Sequence, residues 1–433
     1  MASGGPAANS MRIDSFRTVR SISDWRLCLG CGACAYVCPE EKIDLVDVLS
    51  EGIRPLVADE RCNGCSDCLQ VCPAYHNDHR PLLDQPGLIP DVLAAYGPAL
   101  ELWEGYAVDP EIRLMGSSGG VLTALGLYCI ERAGMHGVLH IAGDPSDPVR
   151  NRTQLSRTRA DLMAATGSRY APASACDQLR LIESAPAPCA FVGQPSEATA
   201  LRKVLRLRPE LQAKVGVILS FFCAGSPSTR GTQEFLRAHG FAVDDIAEIR
   251  YRGRGWPGWF SVLRRHSGEP SPVKSYAESW GFLQAFRPLS VHLTPDGSGE
   301  DADISCGDPW YRPVGDGEAG RSMVVARTPR GCDLLRAARE AGYVHLEPLS
   351  VRDALASQVN LTRKRGAVAG RVFAMRLMGV PAPTLGGFSL LRNWLELSVG
   401  EKIRSTIGTA VRVLQRGLRR PRELDPAEIV RRS

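Results

Sequence analysis

The chain has 433 residues, of which 44 % are hydrophobic and 23 % charged, and its net charge is +5. This length allows two or three domains, and the composition is ordinary for a globular protein. The charge is too small to indicate nucleic-acid binding, and no stretch approaches the roughly 18 apolar residues of a membrane span. The start of the chain lacks the apolar core of a secretion signal, which predicts a cytoplasmic location where disulfides are rare.

Two cysteine runs share the spacing Cys-x2-Cys-x2-Cys-x3-Cys-Pro. They read CLGCGACAYVCP and CNGCSDCLQVCP and hold eight of the 14 cysteines. Zinc usually takes two separated Cys-x2-Cys pairs, whereas this spacing is typical of ferredoxins with two 4Fe-4S clusters, where each run lends its fourth thiolate to the other cluster. The predicted ligands are Cys28, Cys31, Cys34 and Cys72 for one cluster, and Cys62, Cys65, Cys68 and Cys38 for the other.

The rest of the chain alternates between two kinds of segment. KIDLVDV and GIRPLVAD, between the cysteine runs, predict two short strands. From about Trp103, apolar strands alternate with amphipathic helices. This alternation is typical of an α/β domain with a mixed or parallel sheet, in which ligands bind where strands lead into helices.

The stretch MGSSGGVLTAL is one such junction. Its amides and the dipole of the following helix could hold a phosphate, and a capped, closely packed helix is the other interpretation. Gly116 to Gly120 also fit the G-x-S-x-G elbow of hydrolases, but the preceding DPEIRLM is too polar for the core strand that the elbow requires.

After the cysteine runs come, in order, the motifs GSSGGVLTAL, TGSRYAP, FVGQPSEATALRK, YRGRGWPG and GEDADISCGDPW. This ordered set resembles the coenzyme F-420 hydrogenase/dehydrogenase beta-subunit family, and the resemblance covers roughly residues 25–350. It implies 4Fe-4S clusters and FAD, with hydride exchange between the flavin and an organic partner. Members of the family reduce a deazaflavin within larger complexes, reduce a ring system as in the plant hydroxymethyl-chlorophyll reductase, or accompany polysaccharide-synthesis enzymes.

The resemblance also implies a set of flavin-binding residues, among which Arg169 can by its chemistry meet a phosphate and Tyr170 can cover a ring. The implied residues are Ser117, Ser118, Gly119 and Gly120 for the phosphates, Thr166, Gly167, Ser168, Arg169, Tyr170, Gly193, Gln194 and Pro195 for the pocket, and Asp303, Gly307 and Asp308 for its closure. Many members have cysteines where this chain has Ser196, Val291 and Thr294, so a third cluster is not expected.

Other residues leave alternatives open. Cys306 would lie in a flavin-side loop and is the cysteine to test for reactivity, and the acidic loop around it does not match an EF-hand. The RGRGWPGW stretch could bind an anionic or planar substrate or simply pack its tryptophans. The proton donor stays unidentified, with His136, His140 and His292 as candidates.

The C-terminal stretch from Asn393 predicts a helix with an apolar stripe and a basic opposite face. It could rest on an anionic membrane or a partner protein, or pack against its own domain. The predicted organisation is a flexible N-terminus (1–24), a dicluster ferredoxin-like α+β domain (25–80), a linker (81–102), a flavin-binding α/β domain (103–350) and a helical C-terminal extension (351–433).

These observations predict a cytoplasmic iron–sulfur flavoprotein oxidoreductase. Ferredoxin or another redox protein would exchange single electrons with the clusters, and FAD would exchange electron pairs with a small-molecule acceptor, in either direction. The alternatives are an electron-transfer subunit that feeds a partner enzyme without a substrate of its own, and a zinc-stabilised binding module.

Overall fold

The structure is a computed structural model that describes residues 13–58, 62, 64–315 and 317–432. Its α-helices are α1 (Val19–Asp24), α2 (Ala33–Val37), α3 (Asp67–Gln70), α4 (Leu93–Tyr96), α5 (Pro110–Met115), α6 (Val121–Glu131), α7 (Arg159–Ala164), α8 (Arg180–Glu183), α9 (Pro195–Leu207), α10 (Thr229–Ala238), α11 (Tyr276–Leu283), α12 (Pro329–Glu340), α13 (Val351–Ser357), α14 (Val359–Leu377), α15 (Leu390–Leu395) and α16 (Val399–Gln415). Its strands are β1 (Ile43–Val48), β2 (Gly52–Val57), β3 (His76–Asp78), β4 (Glu101–Ala107), β5 (Val138–Gly143), β6 (Asn151–Ser156), β7 (Cys189–Gly193), β8 (Val215–Phe221), β9 (Ile246–Arg250), β10 (Trp259–Arg264), β11 (Ser271–Ser275), β12 (Ile304–Gly307), β13 (Ser322–Ala326), β14 (Val344–Pro348), β15 (Thr384–Gly386) and β16 (Ile429–Arg431).

An eight-stranded mixed sheet forms the centre, in the order β14-β4-β13-β12-β8-β7-β5-β6. Strands β5, β7, β8 and β12 are parallel to one another, and antiparallel strands flank them. The central strands are largely apolar because both faces are covered, by α6 and α12 on one side and by α9 on the other. The predicted α/β fold is confirmed, and of the two predicted kinds of sheet, mixed or parallel, the mixed one is present.

A smaller antiparallel sheet, β11-β10-β9, packs with α10 and α11 around its own apolar cluster. The aromatic side chains of Phe235, Tyr251 and Phe260 fill this cluster. The β9–β10 connection therefore starts from a rigid base, and it carries the RGRGWPG motif.

The cysteine runs flank the β1–β2 hairpin, and the last described strand, β16, pairs with β1. The expectation of a flexible N-terminus is wrong for residues 13–24, while residues 1–12 lie outside the described residues. Phe16, Val19 and Ile22 are buried in the apolar cluster that includes Cys34, Cys68 and Cys72, because these side chains cover the cysteine loops.

The predicted linker between residues 81 and 102 is also packed rather than free. Val92, Tyr96 and Ala99 are fully buried, and the Tyr96 hydroxyl donates to the carbonyl oxygen of Ala354 at 2.6 Å. This stretch fastens α13 to the central sheet.

A buried network of charges joins three distant parts of the chain. His79, which follows β3, places Nδ1 3.0 Å from a carboxylate oxygen of Glu300 and Nε2 2.9 Å from one of Asp301. Glu300 also pairs with Arg365 of α14. Burial acts to lower the pKa of His79, but Asp301 and Glu300 outweigh it and raise that pKa to about 10.

The C-terminal extension consists mainly of α14, α15 and α16, which contact one another closely. A methyl group on Gly370 would lie 2.5 Å from Ser405 Oγ, and one on Gly366 would lie 2.8 Å from the carbonyl oxygen of Asn393, so glycine is required at both contacts. Within the described part of the chain, no helix combines the length and hydrophobicity needed to cross a membrane.

We expect His79→Gln to destabilise the protein by about 3–5 kcal/mol at pH 6.5, because Asp301 and Glu300 would lose a buried cation. The folded pKa of His79 exceeds its unfolded value, so its contribution is complete below about pH 6.5 and is lost as the pH rises through about 10. The difference in melting temperature between the wild type and the variant should therefore shrink from pH 6.5 to pH 10.

His345→Gln is the matched control for this prediction. His345 pairs with Glu347 at the surface, so its replacement should change the melting temperature little at any pH. A His79→Gln deficit that stays constant between pH 6.5 and pH 10 would contradict a charged His79 at the centre of the network.

Candidate functional site

The eight motif cysteines form two separate groups of four. Cys28, Cys31, Cys34 and Cys72 line one small cavity, and Cys38, Cys62, Cys65 and Cys68 line another. These are the sets that the interleaved spacing predicts. The first group (the inner cysteines) is wholly or partly buried, whereas Cys62 and Cys65 of the second group (the outer cysteines) are exposed.

Both groups suit a cluster chemically. Backbone amides point at sulfur, with Gly30 N 3.4 Å from Cys28 Sγ and Lys42 N 3.4 Å from Cys38 Sγ, and such donors stabilise thiolates. Among the described residues, no three His, Cys, Asp or Glu side chains lie close enough together to bind one metal ion. A 4Fe-4S cubane does not require this, because each of its thiolates binds a different iron. The residues present therefore fit 4Fe-4S clusters.

The inner cysteines lie against the large domain through a close backbone contact. Cys176 N donates to the carbonyl oxygen of Cys31 at 3.1 Å. Gly32 has φ +83°, and a side chain there would place Cβ 2.9 Å from Asp177 N. A residue other than glycine would thus push the cluster loop away from the domain.

A cavity of about 1570 Å³ lies beside the carboxyl ends of β7, β8 and β12. This exceeds the roughly 300–1,000 Å³ of ordinary small-molecule sites, so it has room for a large cofactor and a second molecule. Its position is the one that α/β sheets use for ligands.

Helix α6 begins at this cavity. Gly120, its N-cap, has φ +74° and no side chain to cap the helix, and Val121, Leu122 and Thr123 of the first turn line the cavity. The amides of a helix's first turn have no partners within the helix, and together with the dipole they attract anions. The predicted phosphate-binding stretch is thus placed where it can act.

The serines of this stretch connect loops. Ser168 N donates to Ser117 Oγ at 2.5 Å, and Ser118 Oγ is hydrogen-bonded to Ser322 Oγ at 2.9 Å. Ser117 and Ser118 therefore hold the segments around residues 168 and 322 against the start of α6.

Most of the residues that sequence analysis singled out for the flavin surround this cavity. Those that line it are Ser117, Ser118, Gly120, Thr166, Gly167, Ser168, Arg169, Tyr170, Gly193, Gln194, Gly307 and Asp308. Gly119 lies behind the wall, where its amide donates to Ser322 Oγ at 2.9 Å, and Pro195 starts α9 beside a smaller cavity.

Asp303 is outside the cavity. Its carboxylate accepts hydrogen bonds from Ile218 N, Arg202 Nη2 and Thr328 Oγ1 at 2.7–2.8 Å. The structure therefore gives Asp303 a bracing role between β8, α9 and α12 instead of the closing role implied by the resemblance. The acidic loop around it belongs largely to the buried charge network.

The expectation that Arg169 meets a phosphate is wrong. Its guanidinium donates to the carbonyl oxygens of Pro148, Arg150 and Ile249 at 3.0–3.1 Å and to Asn151 Oδ1. These bonds occupy most of the five N–H donors, so Arg169 holds the loops around the cavity together.

A charged aromatic wall, which sequence reasoning did not assemble, faces the cavity. Arg252 donates to both carboxylate oxygens of Asp308 at 2.8 and 2.9 Å, and Trp256 Nε1 donates to the same carboxylate at 2.8 Å. Trp310 stacks between Trp256 and Tyr276, with ring centroids 5.0 and 6.0 Å away. The RGRGWPG and CGDPW motifs were each visible in the sequence, but only the fold shows that they meet.

Among the remaining candidates for reactive groups, burial keeps Cys306, His140 and His292 uncharged. Cys306 is buried in β12, and burial raises the pKa of its thiol to about 12, which argues against thiolate reactivity. Burial lowers the pKa of His140 to about 4, and its Nε2 is 2.7 Å from Ser156 Oγ. Burial and nearby Arg287 lower the pKa of His292 to about 3, so both histidines are neutral at pH 7.

A smaller cavity separates the inner cysteines from the large one. Cys28 lines it on one side, and it shares Gln194, Cys223 and Lys364 with the large cavity. Ser196, Val291 and Thr294, at which no third-cluster ligand was expected, also line it. Cys28 of the inner cysteines thus borders a cavity that adjoins the large one.

Comparison with known families agrees with this geometry. Residues 22–77 match a 4Fe-4S dicluster domain. Residues 102–180 and 188–352 match the N-terminal and C-terminal parts of the coenzyme F420 hydrogenase/dehydrogenase beta subunit. The chain belongs to this family. It is therefore an iron–sulfur oxidoreductase that transfers electrons.

Individual relatives are distant. The coenzyme F420 hydrogenase subunit beta of Methanothermobacter thermautotrophicus is 24 % identical over 294 residues, which cover 65 % of this chain and 97 % of the relative. The corresponding subunit of Methanosarcina barkeri is 23 % identical over 256 residues, which cover 56 % of this chain and 80 % of that relative. A chain in the structure of the F420-reducing [NiFe] hydrogenase complex from Methanosarcina barkeri aligns with a TM-score of 0.49 and 21 % identity, over 66 % of this chain and 96 % of that one.

Paired alanine variants can test the interleaved ligand sets. If Cys28 and Cys72 serve one cluster, Cys28→Ala/Cys72→Ala should lose one cluster and keep about four of about eight irons. Cys28→Ala/Cys38→Ala should damage both clusters and keep almost no iron. Iron and acid-labile sulfide analysis of anaerobically purified protein measures both.

Cys129→Ala in α6 is the control, because this buried cysteine lies in the core of the large domain and should leave the iron content unchanged. The reverse result for the two double variants would show that each run binds its own cluster.

Proposed function

We propose that this protein is an iron–sulfur flavoprotein oxidoreductase. Electrons pass between two 4Fe-4S clusters and FAD, and then by hydride transfer to or from an organic acceptor such as the deazaflavin coenzyme F-420, another ring system or a sugar-pathway substrate. The observation that carries the proposal is the succession of three sites: the exposed outer cysteines, the inner cysteines in the same apolar cluster, and the large cavity, which shares wall residues with the smaller cavity at Cys28.

This order of sites suits single-electron entry from a protein. Cys62 and Cys65 are exposed, so a ferredoxin or another redox protein can approach the outer cysteines. The inner cysteines are shielded by α1 and lie next to the layer around Gln194 and Cys223. Electrons that enter at the surface can therefore reach the cavity without crossing solvent.

The large cavity suits FAD. The uncapped start of α6 offers amides for the pyrophosphate, and Thr166–Ser168 with Gly193 and Gln194 provide a polar wall. The Arg252–Asp308 pair fixes Trp256 in place and leaves a flat aromatic surface at the cavity. Bound there, FAD supplies the conversion between single electrons and electron pairs that clusters cannot perform.

The acceptor is proposed to be an anion. Basic side chains line the part of the cavity that the C-terminal extension covers: Arg363, Lys364, Arg371, Arg404, Arg412 and Arg416. Burial lowers the pKa of Lys364 to about 8, and nearby Arg287 and Arg371 act in the same direction. A phosphate or carboxylate on the acceptor would neutralise the positive charge of these side chains.

The decisive experiment is anaerobic purification followed by quantification of released flavin and an assay with reduced ferredoxin. We expect about one FAD per chain and reoxidation of the reduced protein by an anionic acceptor such as coenzyme F-420. Protein that keeps both clusters but binds no FAD would overturn the proposal. Bound FAD with turnover only in the presence of a partner enzyme would favour the role of an electron-transfer subunit, a role for which the relatives' designation as subunits is the supporting observation.

Asp308→Asn should weaken FAD binding about tenfold or more while iron content stays constant. The change leaves the buried Arg252 without its carboxylate and releases Trp256 from its hydrogen bond. Flavin titration of the apoprotein measures the effect. Asp333→Asn, at an exposed pair with Arg336, is the matched control, and equal flavin affinity in both variants would contradict the assignment.

A further inference from the structure

The C-terminal helices expose an unusual amount of apolar surface. On α16, Val399, Ile403, Ile407, Val411 and Leu414 are between 44 and 72 % exposed. Leu391 and Leu395 of α15 are 67 and 59 % exposed. The spacing of three and four residues places the α16 side chains on one face, so they form a continuous stripe (the apolar stripe).

The orientation of α16 is the reverse of that expected for a helix covering a soluble domain. Its inward face carries Ser405 and Thr409, which are buried, together with Val413. Ser405 and Thr409 satisfy their hydroxyls on carbonyl oxygens one turn earlier in the same helix. The polar side of α16 thus packs against the protein, and its apolar side faces the solvent.

Helix α14 extends this surface. Gly366 and Gly370 mark the face of α14 that contacts α15 and α16. Phe373 and Leu377 follow on the same helical face and are 63 and 75 % exposed. Large outward patches of this kind mark interaction sites.

The charge around the apolar stripe is strongly positive. Residues 390–420 contain seven Arg and Lys and two Glu, a net charge of +5 that equals the net charge of the whole chain. The rest of the protein is therefore neutral on balance, and the excess lies beside the stripe. Arg392, Arg404, Arg416, Arg419 and Arg420 are exposed there.

We propose that the apolar stripe and its arginines dock the protein on the surface of an anionic lipid bilayer, with α16 lying in the plane of the interface. A helix of 17 residues is about 25 Å long and can lie along the headgroup boundary, with the apolar face inward and arginines at the phosphates. The charge argues for lipid over a protein partner, because anionic headgroups are complementary to arginines at every position along the stripe.

Docking would place the large cavity at the lipid surface. Arg404 and Arg412 belong to α16, Arg416 follows it directly, and all three also line that cavity. The docking inference rests on exposure and charge alone, so it stands or falls separately from the proposed redox function.

The test is co-sedimentation of the full-length, cluster-loaded protein with vesicles of neutral phosphatidylcholine or of phosphatidylcholine containing phosphatidylglycerol. We expect binding to the anionic vesicles to be at least tenfold tighter. Ile403→Ser/Ile407→Ser should weaken that binding at least tenfold, and Arg392→Gln/Arg419→Gln/Arg420→Gln should do the same. Iron content and the visible spectrum of each variant establish that it is folded.

Val108→Ser is the matched control, because Val108 is 51 % exposed but lies away from the stripe, after β4. Its binding should equal that of the wild type. Failure of the wild type to bind anionic vesicles, equal binding to neutral vesicles, or burial of the stripe in a dimer of this chain seen by light scattering would each overturn the proposal.

Discussion

The buried charges around His79 are the constraint on which the rest of the arrangement depends. His79 ends the segment after the second cysteine run, Glu300 and Asp301 belong to the loop before β12, and Arg365 belongs to α14. Two carboxylates cannot remain charged in an apolar interior without cations beside them. The cluster region, the central sheet and the C-terminal extension must therefore come together in one relative orientation, which sets how closely the inner cysteines approach the large cavity.

That closeness also depends on small residues. Gly32 leaves no side chain between the cluster loop and Asp177, and the resulting backbone hydrogen bond joins Cys31 to Cys176. Electron transfer falls off with distance, so contact between backbones, with no side chains between them, suits the role proposed for the inner cysteines. The same logic holds at Gly119, where a Cβ atom would lie 2.6 Å from the carbonyl oxygen of Gly105 and would force α6 away from the sheet.

The sequence was most informative where a spacing or period directly determines geometry. The cysteine spacing predicted the two groups of four, and apolar runs predicted an α/β domain with a mixed or parallel sheet. The sequence was least informative about side chains whose hydrogen-bond partners are distant in the chain. Arg169 sits in a motif that implies a phosphate, yet backbone carbonyls of three loops take its donors. The Arg252–Asp308 pair joins residues 56 positions apart, and no local pattern indicates such a pairing.

The C-terminal helix shows a further limit of this kind. Periodicity identified the apolar residues of α16, but a period specifies a face and not the direction in which that face points. Whether the stripe faces the core or the solvent depends on which side chains of α14 contact α16. Gly370 there accommodates Ser405 in close contact, so the polar side of α16 packs inward.

The pairing of β16 with β1 has a consequence for the order in which the protein is made. Ser50 N donates to Glu428 Oε2 at 3.1 Å across 378 residues of sequence. At about 5–20 residues per second, a ribosome needs roughly 20–75 s to make that intervening chain. During this time the β1–β2 hairpin beside the cysteine runs has an unpaired edge. The cluster-bearing region is thus synthesised well before the strand that completes its sheet, and that sheet can form only after translation has passed Arg431.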